Sequence, residues 1–123
     1  MVGFEDLEVW KACRQFRIEC SKIAKAFPPE GKYRLTDQLI RSSRATTANI
    51  SEGHGRYHYQ ENIQYCRMAR GSLNESLDHL ITAFDEGYID AIKLIEMRKS
   101  FSHCIKLING YISYLNRRKN ENN

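Results

Sequence analysis

The sequence predicts an all-α protein, an antiparallel up-down-up-down bundle of four helices. Apolar residues recur at steps of three and four through four long segments. The 123-residue chain has only two prolines, which are adjacent, so long helices are favoured over many short strands. Apolar residues make up 41% of the chain, enough for one core at this length. We expect one domain over residues 1–119, followed by a frayed tail at residues 120–123.

The first helix is expected at about residues 6–26. Its apolar stripe consists of Leu7, Trp10, Cys13, Phe16, Cys20, Ile23 and Phe27. The helix ends before the two prolines, because a residue that precedes proline is disfavoured in helical geometry. A loop through Gly31 then leads to the second helix. Thr36 is its predicted N-cap, with a hydroxyl that accepts a free backbone N–H.

The second helix has an unusual run of small residues, SSRATTANIS, from Ser42 to Ser51. Small side chains let another backbone approach closely, so we expect tight contact with a neighbouring helix. Serine, threonine and asparagine have poor helix propensity, so packing must hold this segment in its helical form. The helix is expected to end at Gly53 and Gly55.

The third helix is expected at about residues 59–86, with Gly87 as the residue that ends it. Its predicted buried side consists of Ile63, Cys66, Ala69 or Arg70, Leu73, Leu77, Leu80, Ile81 and Phe84. Gly71 lies in the helix interior and predicts a close helix crossing. The fourth helix is expected to start at Asp90 as N-cap. Its buried residues are Leu94, Phe101, Ile105, Ile108, Ile112 and Leu115.

Charge is distributed unevenly along the chain, whose net charge is +4. Residues 9–74 hold twelve Lys or Arg against five Asp or Glu, and residues 75–96 hold six acids against Lys93 alone. Such polarity favours association between copies of the chain or contact with a polyanion. The cysteines form no C-x-x-C pair and follow the apolar pattern, so we expect buried thiols, with no metal and no cofactor. No signal peptide or membrane span is evident, which favours the cytoplasm.

Motifs along nearly the whole chain resemble a known family, the four-helix-bundle proteins encoded in intervening sequences of bacterial 23S ribosomal RNA genes. The matching residues are Phe4, Leu7, Val9, Trp10, Phe27, Pro28, Leu35, Thr36, Gln38, Leu39, Asn49, Ile50, Glu52, Gly53, Gly55, Arg56, Ala69, Gly71, Ser72, Leu73, Glu75, Gly87, Tyr88 and Ile89. More distantly, the chain is similar to the accessory variability proteins of diversity-generating retroelements. Two positions depart from the pattern: His58 replaces a usual Ser or Thr, and Asn62 replaces an aromatic residue.

The resemblance implies an antiparallel bundle that assembles as a ring-like homopentamer and has no enzymatic activity. In the retroelement relatives it also implies a basic surface that engages nucleic acid and a reverse transcriptase. The His58 departure weakens the expected cap of the third helix. The Asn62 departure alters one packing contact, at a subunit interface or within the chain.

The strongest local signature is the segment from Asn49 to Arg56, which contains Glu52, Gly53 and Gly55. In the functional interpretation, Arg56 contacts phosphate while the glycines keep the turn open. In the structural interpretation, the glycines end a helix, Asn49 satisfies backbone groups and Glu52 pairs with an arginine. We favour the structural interpretation. The glycines are not a phosphate-binding loop, because neither a strand nor a Walker lysine accompanies them.

Two arginine pairs at i, i+3 spacing, together with Arg56, form the candidate nucleic-acid site. The pairs are Arg41 with Arg44 and Arg67 with Arg70. Planar guanidinium groups suit phosphate, so a basic stripe across the second and third helices would bind RNA. The alternative is a solvated face, or ion pairs between subunits with the acidic block that starts at Glu75. Three nearby tyrosines would stack on bases or pack between helices: Tyr57, Tyr59 and Tyr65.

Two enzymatic constellations are weaker. Arg98 and His103 have the R-x4-H spacing of helical HEPN-type ribonucleases, but residues five apart do not share a helix face. A di-iron centre would need two Glu-x-x-His motifs, and Glu75, Asp78 and His79 supply one partial set. We therefore expect a non-catalytic, homo-oligomeric adaptor that binds RNA or an RNA-handling partner. The alternatives are a metal-independent HEPN-like ribonuclease and a purely structural protein-interaction ring.

Overall fold

The computed structural model describes residues 3–121, without the side chains of residues 31–33. Four long helices span Glu8–Lys25 (α1), Asp37–His54 (α2), Tyr59–Asp85 (α3) and Ala91–Glu121 (α4). Short helical turns cover Phe4–Asp6, Pro29–Gly31 and Lys32–Thr36. There is no strand between residues 3 and 121, which confirms the all-α prediction. Residues 120 and 121 of the predicted tail are helical, and residues 122 and 123 lie outside the described residues.

Contacts between side chains show that neighbouring helices run in opposite directions. From α1 to α2, the Arg17 guanidinium donates to the Thr47 hydroxyl at 2.9 Å. The Thr36 hydroxyl, at the other end of this seam, donates to the Ala24 carbonyl at 3.1 Å. The same reversal joins α2 to α3 and α3 to α4, and α1 also packs against α4. Residue numbers therefore increase in opposite directions along neighbouring helices, as in the predicted up-down-up-down bundle.

The core follows the predicted stripes with exceptions at their edges. On α1, Leu7 and Trp10 are only half-buried, and Val9 and Ala24 complete the buried face. On α3, the prediction was wrong for Phe84, which is 40% exposed, and Leu77 and Ile81 are only half-buried. On α4, the interior also includes Met97 and Cys104, and the half-buried residues are Leu94, Phe101 and Ile105. No helix within residues 3–121 is both long and apolar enough to cross a membrane.

The small residues of α2 lie in tight contact with the neighbouring helices α1 and α3, as predicted. Their buried members are Ser42, Ser43, Thr46 and Thr47. The Ser42 and Ser76 hydroxyls, on α2 and α3, are 2.7 Å apart, a distance that brings the two backbones close together. Of all the helix pairs, α2 and α3 make the most extensive contact.

The segment between α1 and α2 corrects two expectations. Residues 29–36 do not form an open loop but a 3-10 turn followed by a π-helical turn that runs directly into α2. The prediction of Thr36 as N-cap is wrong, because its backbone is helical and its hydroxyl donates to α1 instead of accepting from α2. The predicted cap at Asp90 is confirmed, since its carboxylate accepts the backbone N–H of Lys93 at 2.8 Å.

The close helix crossing occurs at a different glycine from the one predicted. Gly71 is exposed, and a β-carbon placed there would meet nothing within 4 Å, so the expectation for Gly71 is wrong. A β-carbon on buried Gly53 would lie 2.8 Å from both Asn62 Oδ1 and Tyr65 Cβ on α3. Gly87 ends α3 as predicted, with φ +80° and the paired backbone hydrogen bonds of a Schellman motif.

The two interior glycines should respond oppositely to alanine. In Gly53→Ala, the added methyl group overlaps α3, so we expect a loss of about 1–3 kcal/mol in the free energy of unfolding. In the matched control Gly71→Ala, the methyl group enters open space in a helix interior, so we expect a gain of about 0.5–1 kcal/mol. Urea denaturation followed by circular dichroism measures both. Equal stability of Gly53→Ala and wild type would contradict the close approach of α2 to α3.

Candidate nucleic-acid interface

Two of the predicted arginines are held by carboxylates of the same chain. Arg41 pairs with Asp37 at 3.6 Å across one turn of α2. The Arg56 guanidinium contacts Glu52 at 3.1 Å and Glu61 at 3.5 Å. These pairs are exposed, so each contributes little to stability. They nevertheless engage the guanidinium groups that would contact phosphate in the functional interpretation.

Arg56 is also fixed by an aromatic neighbour on α3. It donates to the Tyr65 hydroxyl at 2.6 Å, and its Cζ lies 5.0 Å from the centroid of the Tyr65 ring. The segment at the end of α2 therefore contacts α3 through Arg56 and Tyr65. Asn49 is half-buried, and its expected contact with backbone groups is wrong, since none of the described hydrogen bonds involves its side chain.

The remaining predicted arginines do not join Arg41 and Arg56 in one stripe. Arg70 of α3 donates to Asn109 on α4 at 2.7 Å. Arg67, also on α3, is exposed. Arg44 faces α1, whereas Arg41 lies beside Ser72 and Glu75 of α3. Residues three apart on a helix differ by about 60° in direction, which is enough to place them on opposite flanks of α2. The expectation of one continuous stripe was wrong for this reason.

The structure assembles a different basic surface, the α1–α2 groove, on the outside of the bundle. Its cations are Arg17, Lys22, Lys25 and Arg44, and no carboxylate lines it. Two serines and two isoleucines complete the lining of this groove, which has a volume of about 580 Å³. Four cations without a lining acid give a local positive potential that the modest net charge of the chain does not reveal.

The cations of the α1–α2 groove differ in how they are held. The hydrogen bond from Arg17 to Thr47 spans the groove and fixes that guanidinium in place. Lys22 pairs with Glu19 at 3.6 Å, an exposed contact that is easily exchanged. Within the described residues, neither Lys25 nor Arg44 makes an ion pair, so both charges remain available to an anion.

A spacing signal for this groove was present in the sequence. Arg14, Arg17, Ser21 and Lys25 recur at steps of three, four and four on the flank of α1 that faces α2. The arginine pairs predicted as the site lie on α2 and α3 instead. At the start of this row, the Arg14 guanidinium lies 5.9 Å from the centroid of the half-buried Trp10 ring.

The three candidate stacking tyrosines have different surroundings. Tyr65 is occupied by Arg56, and Tyr59 packs against the core. Tyr57, in the turn between α2 and α3, is 92% exposed. Its φ of +66° lies in the left-handed region, which costs a residue with a β-carbon about 1–3 kcal/mol.

The candidate catalytic groups do not converge in the described part of the chain. Arg98 and His103 are both exposed on α4, about 140° apart around the helix axis. All four cysteines are buried in the core, and desolvation raises the pKa of Cys66 to about 12, far from a reactive thiolate. Glu75 and Asp78 are exposed rather than directed into the bundle, so the di-iron arrangement is not formed. No group of metal-binding residues occurs between residues 3 and 121.

The departures from the family pattern have clear structural outcomes. His58 precedes α3 with extended backbone angles and makes no side-chain cap, in line with the weakened cap that was expected. Asn62 is buried within the protein, where its amide donates to the Tyr111 hydroxyl on α4 at 3.3 Å. It therefore contributes to packing between α3 and α4 of one chain.

Comparison with known proteins identifies the family of this chain and a solved structure with a similar fold. Residues 5–110 match the family described as 23S rRNA-intervening sequence protein. A crystal structure of a protein with unknown function from the S23 ribosomal protein family of Bacteroides thetaiotaomicron superposes with a TM-score of 0.78 and 19% identity. The superposition covers 85% of this chain and 97% of the other. No curated protein matches the sequence.

Proposed function

The chain belongs to the 23S rRNA-intervening sequence protein family, and from this premise we propose that it is a non-catalytic, homo-oligomeric adaptor that binds RNA. The α1–α2 groove is the proposed RNA site. The opposite side of the bundle, formed by α3 and α4, is the proposed surface for assembly with further copies of the chain.

The observation that carries the RNA proposal is the set of four cations in the α1–α2 groove without a lining carboxylate. Arginine offers paired donors that match phosphate oxygens, and lysine adds a point charge. Because Arg17 is already held by Thr47, little side-chain freedom is lost when it meets a phosphate. By contrast, Arg56 is engaged by Glu52 and Tyr65, and Arg70 by Asn109, so partners within the chain compete with any ligand at these two residues.

Exposed apolar side chains support assembly through α3 and α4. Of the six large hydrophobic residues that are exposed in the described part of the chain, five lie on these two helices: Met68, Phe84, Ile92, Ile95 and Tyr114. Exposed apolar area of this kind is typical of protein–protein interfaces. The six acidic residues between positions 75 and 96 also lie on this half of the bundle. Because they repel a polyanion, the α1–α2 groove is the more favourable side for RNA.

Neutralising the free cations of the α1–α2 groove should weaken RNA binding. In Lys25→Gln/Arg44→Gln, two phosphate contacts are removed, so we expect lower affinity for RNA. The slope of the logarithm of the binding constant against the logarithm of salt concentration should become shallower by about 1 for each cation removed. The matched control Arg41→Gln/Arg67→Gln removes the same charge outside the groove and should bind almost as wild type does. Fluorescence anisotropy of a labelled RNA oligonucleotide across a salt series measures both.

Equal weakening in the two variants would show that RNA responds to net charge and would reject the groove as the site. A wild-type protein that assembles but binds no RNA at low salt would favour the purely structural ring. RNA cleavage that His103→Ala abolishes would instead establish the ribonuclease alternative.

Assembly should depend on the exposed isoleucines of α4. We expect wild type to scatter light as a multiple of the 14.4 kDa chain, and Ile92→Lys/Ile95→Lys to have a lower mass with unchanged helicity. The lysines place charge into a desolvated interface, and the groove variant Lys25→Gln/Arg44→Gln serves as the control that keeps its mass. A wild-type mass of one chain would contradict the proposed assembly.

A further inference from the structure

We propose that Tyr57 is a base-stacking residue, and that the RNA bound by this protein is therefore unpaired where it leaves the α1–α2 groove. This inference rests on the proposed RNA binding and names the form of RNA that the site accepts.

The side chain of Tyr57 is almost fully exposed to solvent. With 92% of its surface exposed, it is the most exposed large apolar side chain in the described part of the chain. A tyrosine ring that serves the fold normally covers apolar area or donates its hydroxyl, and neither contact is present at Tyr57. Tyr65 and Tyr59 show the usual alternative, since both rings are engaged with other side chains.

The backbone at Tyr57 is also in a conformation that its side chain disfavours. Its φ is +66°, where glycine and asparagine are much more common than tyrosine. The residues before it are fixed, because the N–H groups of Gly55 and Arg56 bond to α2 carbonyls and Arg56 is held by Glu52 and Tyr65. The rigid turn therefore imposes the φ value and presents the ring outward, as expected for a residue placed for contact.

The register of α1 and α2 places Tyr57 beyond the Arg17 end of the α1–α2 groove, outside its lining. Arg17 meets Thr47, and the helices are antiparallel, so Trp10 and His54 both lie about 10 Å further along the bundle. The Phe4–Asp6 turn, which precedes α1, contacts α2. Tyr57 follows His54 by three residues, just beyond the row of cations that ends at Arg14.

The chemistry of RNA decides between paired and unpaired ligands. In an A-form duplex the bases are stacked on each other, and an exposed side chain reaches phosphates and 2′-hydroxyls but no base face. An unpaired strand offers both faces of each base to an aromatic ring while its phosphates remain in a basic groove. A groove of cations with an exposed tyrosine beyond its Arg17 end therefore suits single-stranded or looped RNA.

The test compares two substitutions at Tyr57 with two forms of one RNA. The variants are Tyr57→Asn, which removes the ring and tolerates positive φ, and Tyr57→Phe, which keeps the ring. A labelled RNA oligonucleotide is titrated as a single strand and as a blunt duplex. We expect wild type and Tyr57→Phe to prefer the single strand, and Tyr57→Asn to lose about tenfold in affinity for it. The salt dependence and the affinity for the duplex should not change, since no cation is removed.

Several results would overturn the inference. The melting temperature of Tyr57→Asn is measured first. Asparagine suits this backbone, so we expect a value no lower than that of wild type. Unchanged single-strand affinity in Tyr57→Asn, alongside weakened binding by Lys25→Gln/Arg44→Gln, would reject base stacking and retain the RNA groove. Equal losses in Tyr57→Phe and Tyr57→Asn would assign the effect to the hydroxyl. Absence of RNA binding by wild type would reject both proposals.

Discussion

The close approach of α2 to its neighbours is the constraint on which the rest of the structure depends. This helix contributes four of the six buried polar side chains among the described residues, and all four carry hydroxyl groups. Each buried hydroxyl is satisfied: Ser42, Ser43, Thr46 and Thr47 donate to carbonyls one turn back, and Ser42 also meets Ser76. Among the described residues no buried side-chain nitrogen or oxygen lacks a hydrogen-bond partner. Burial of these groups is therefore tolerated, and the short side chains bring α3 within reach of Gly53.

The same constraint explains where the basic side chains lie. Because α2 turns small residues inward, its long polar residues are confined to its outer face, where Arg41 and Arg44 diverge to opposite flanks. On the α1 side, Thr47 is close enough to receive Arg17, and this bond holds the groove between the helices together. On the α3 side, Arg56 enters a cluster with Glu52, Glu61 and Tyr65 that fixes the turn into α3. One flank of α2 therefore leaves its charges available, and the other flank uses them for structure.

The sequence predicts the helices well and the site poorly, for physical reasons. Apolar spacing along one helix determines its buried face, and local chemistry determines the ends at Asp90 and Gly87, so these features need no knowledge of the fold. The α1–α2 groove joins Lys25 to Arg44, residues on different helices whose proximity depends on the register set by Arg17 and Thr47. Gly53 and Gly71 are alike in sequence, and only the position of α3 distinguishes a crowded glycine from an open one.

Mapping where RNA touches the protein tests the central claim most directly, because it needs no substitution. A 4-thiouridine RNA is cross-linked by light to the wild-type assembly, and mass spectrometry identifies the attached peptides. The account predicts adducts on the peptides of α1 and α2 that line the groove and on the turn that carries Tyr57. Adducts confined to the outer faces of α3 and α4 would contradict it.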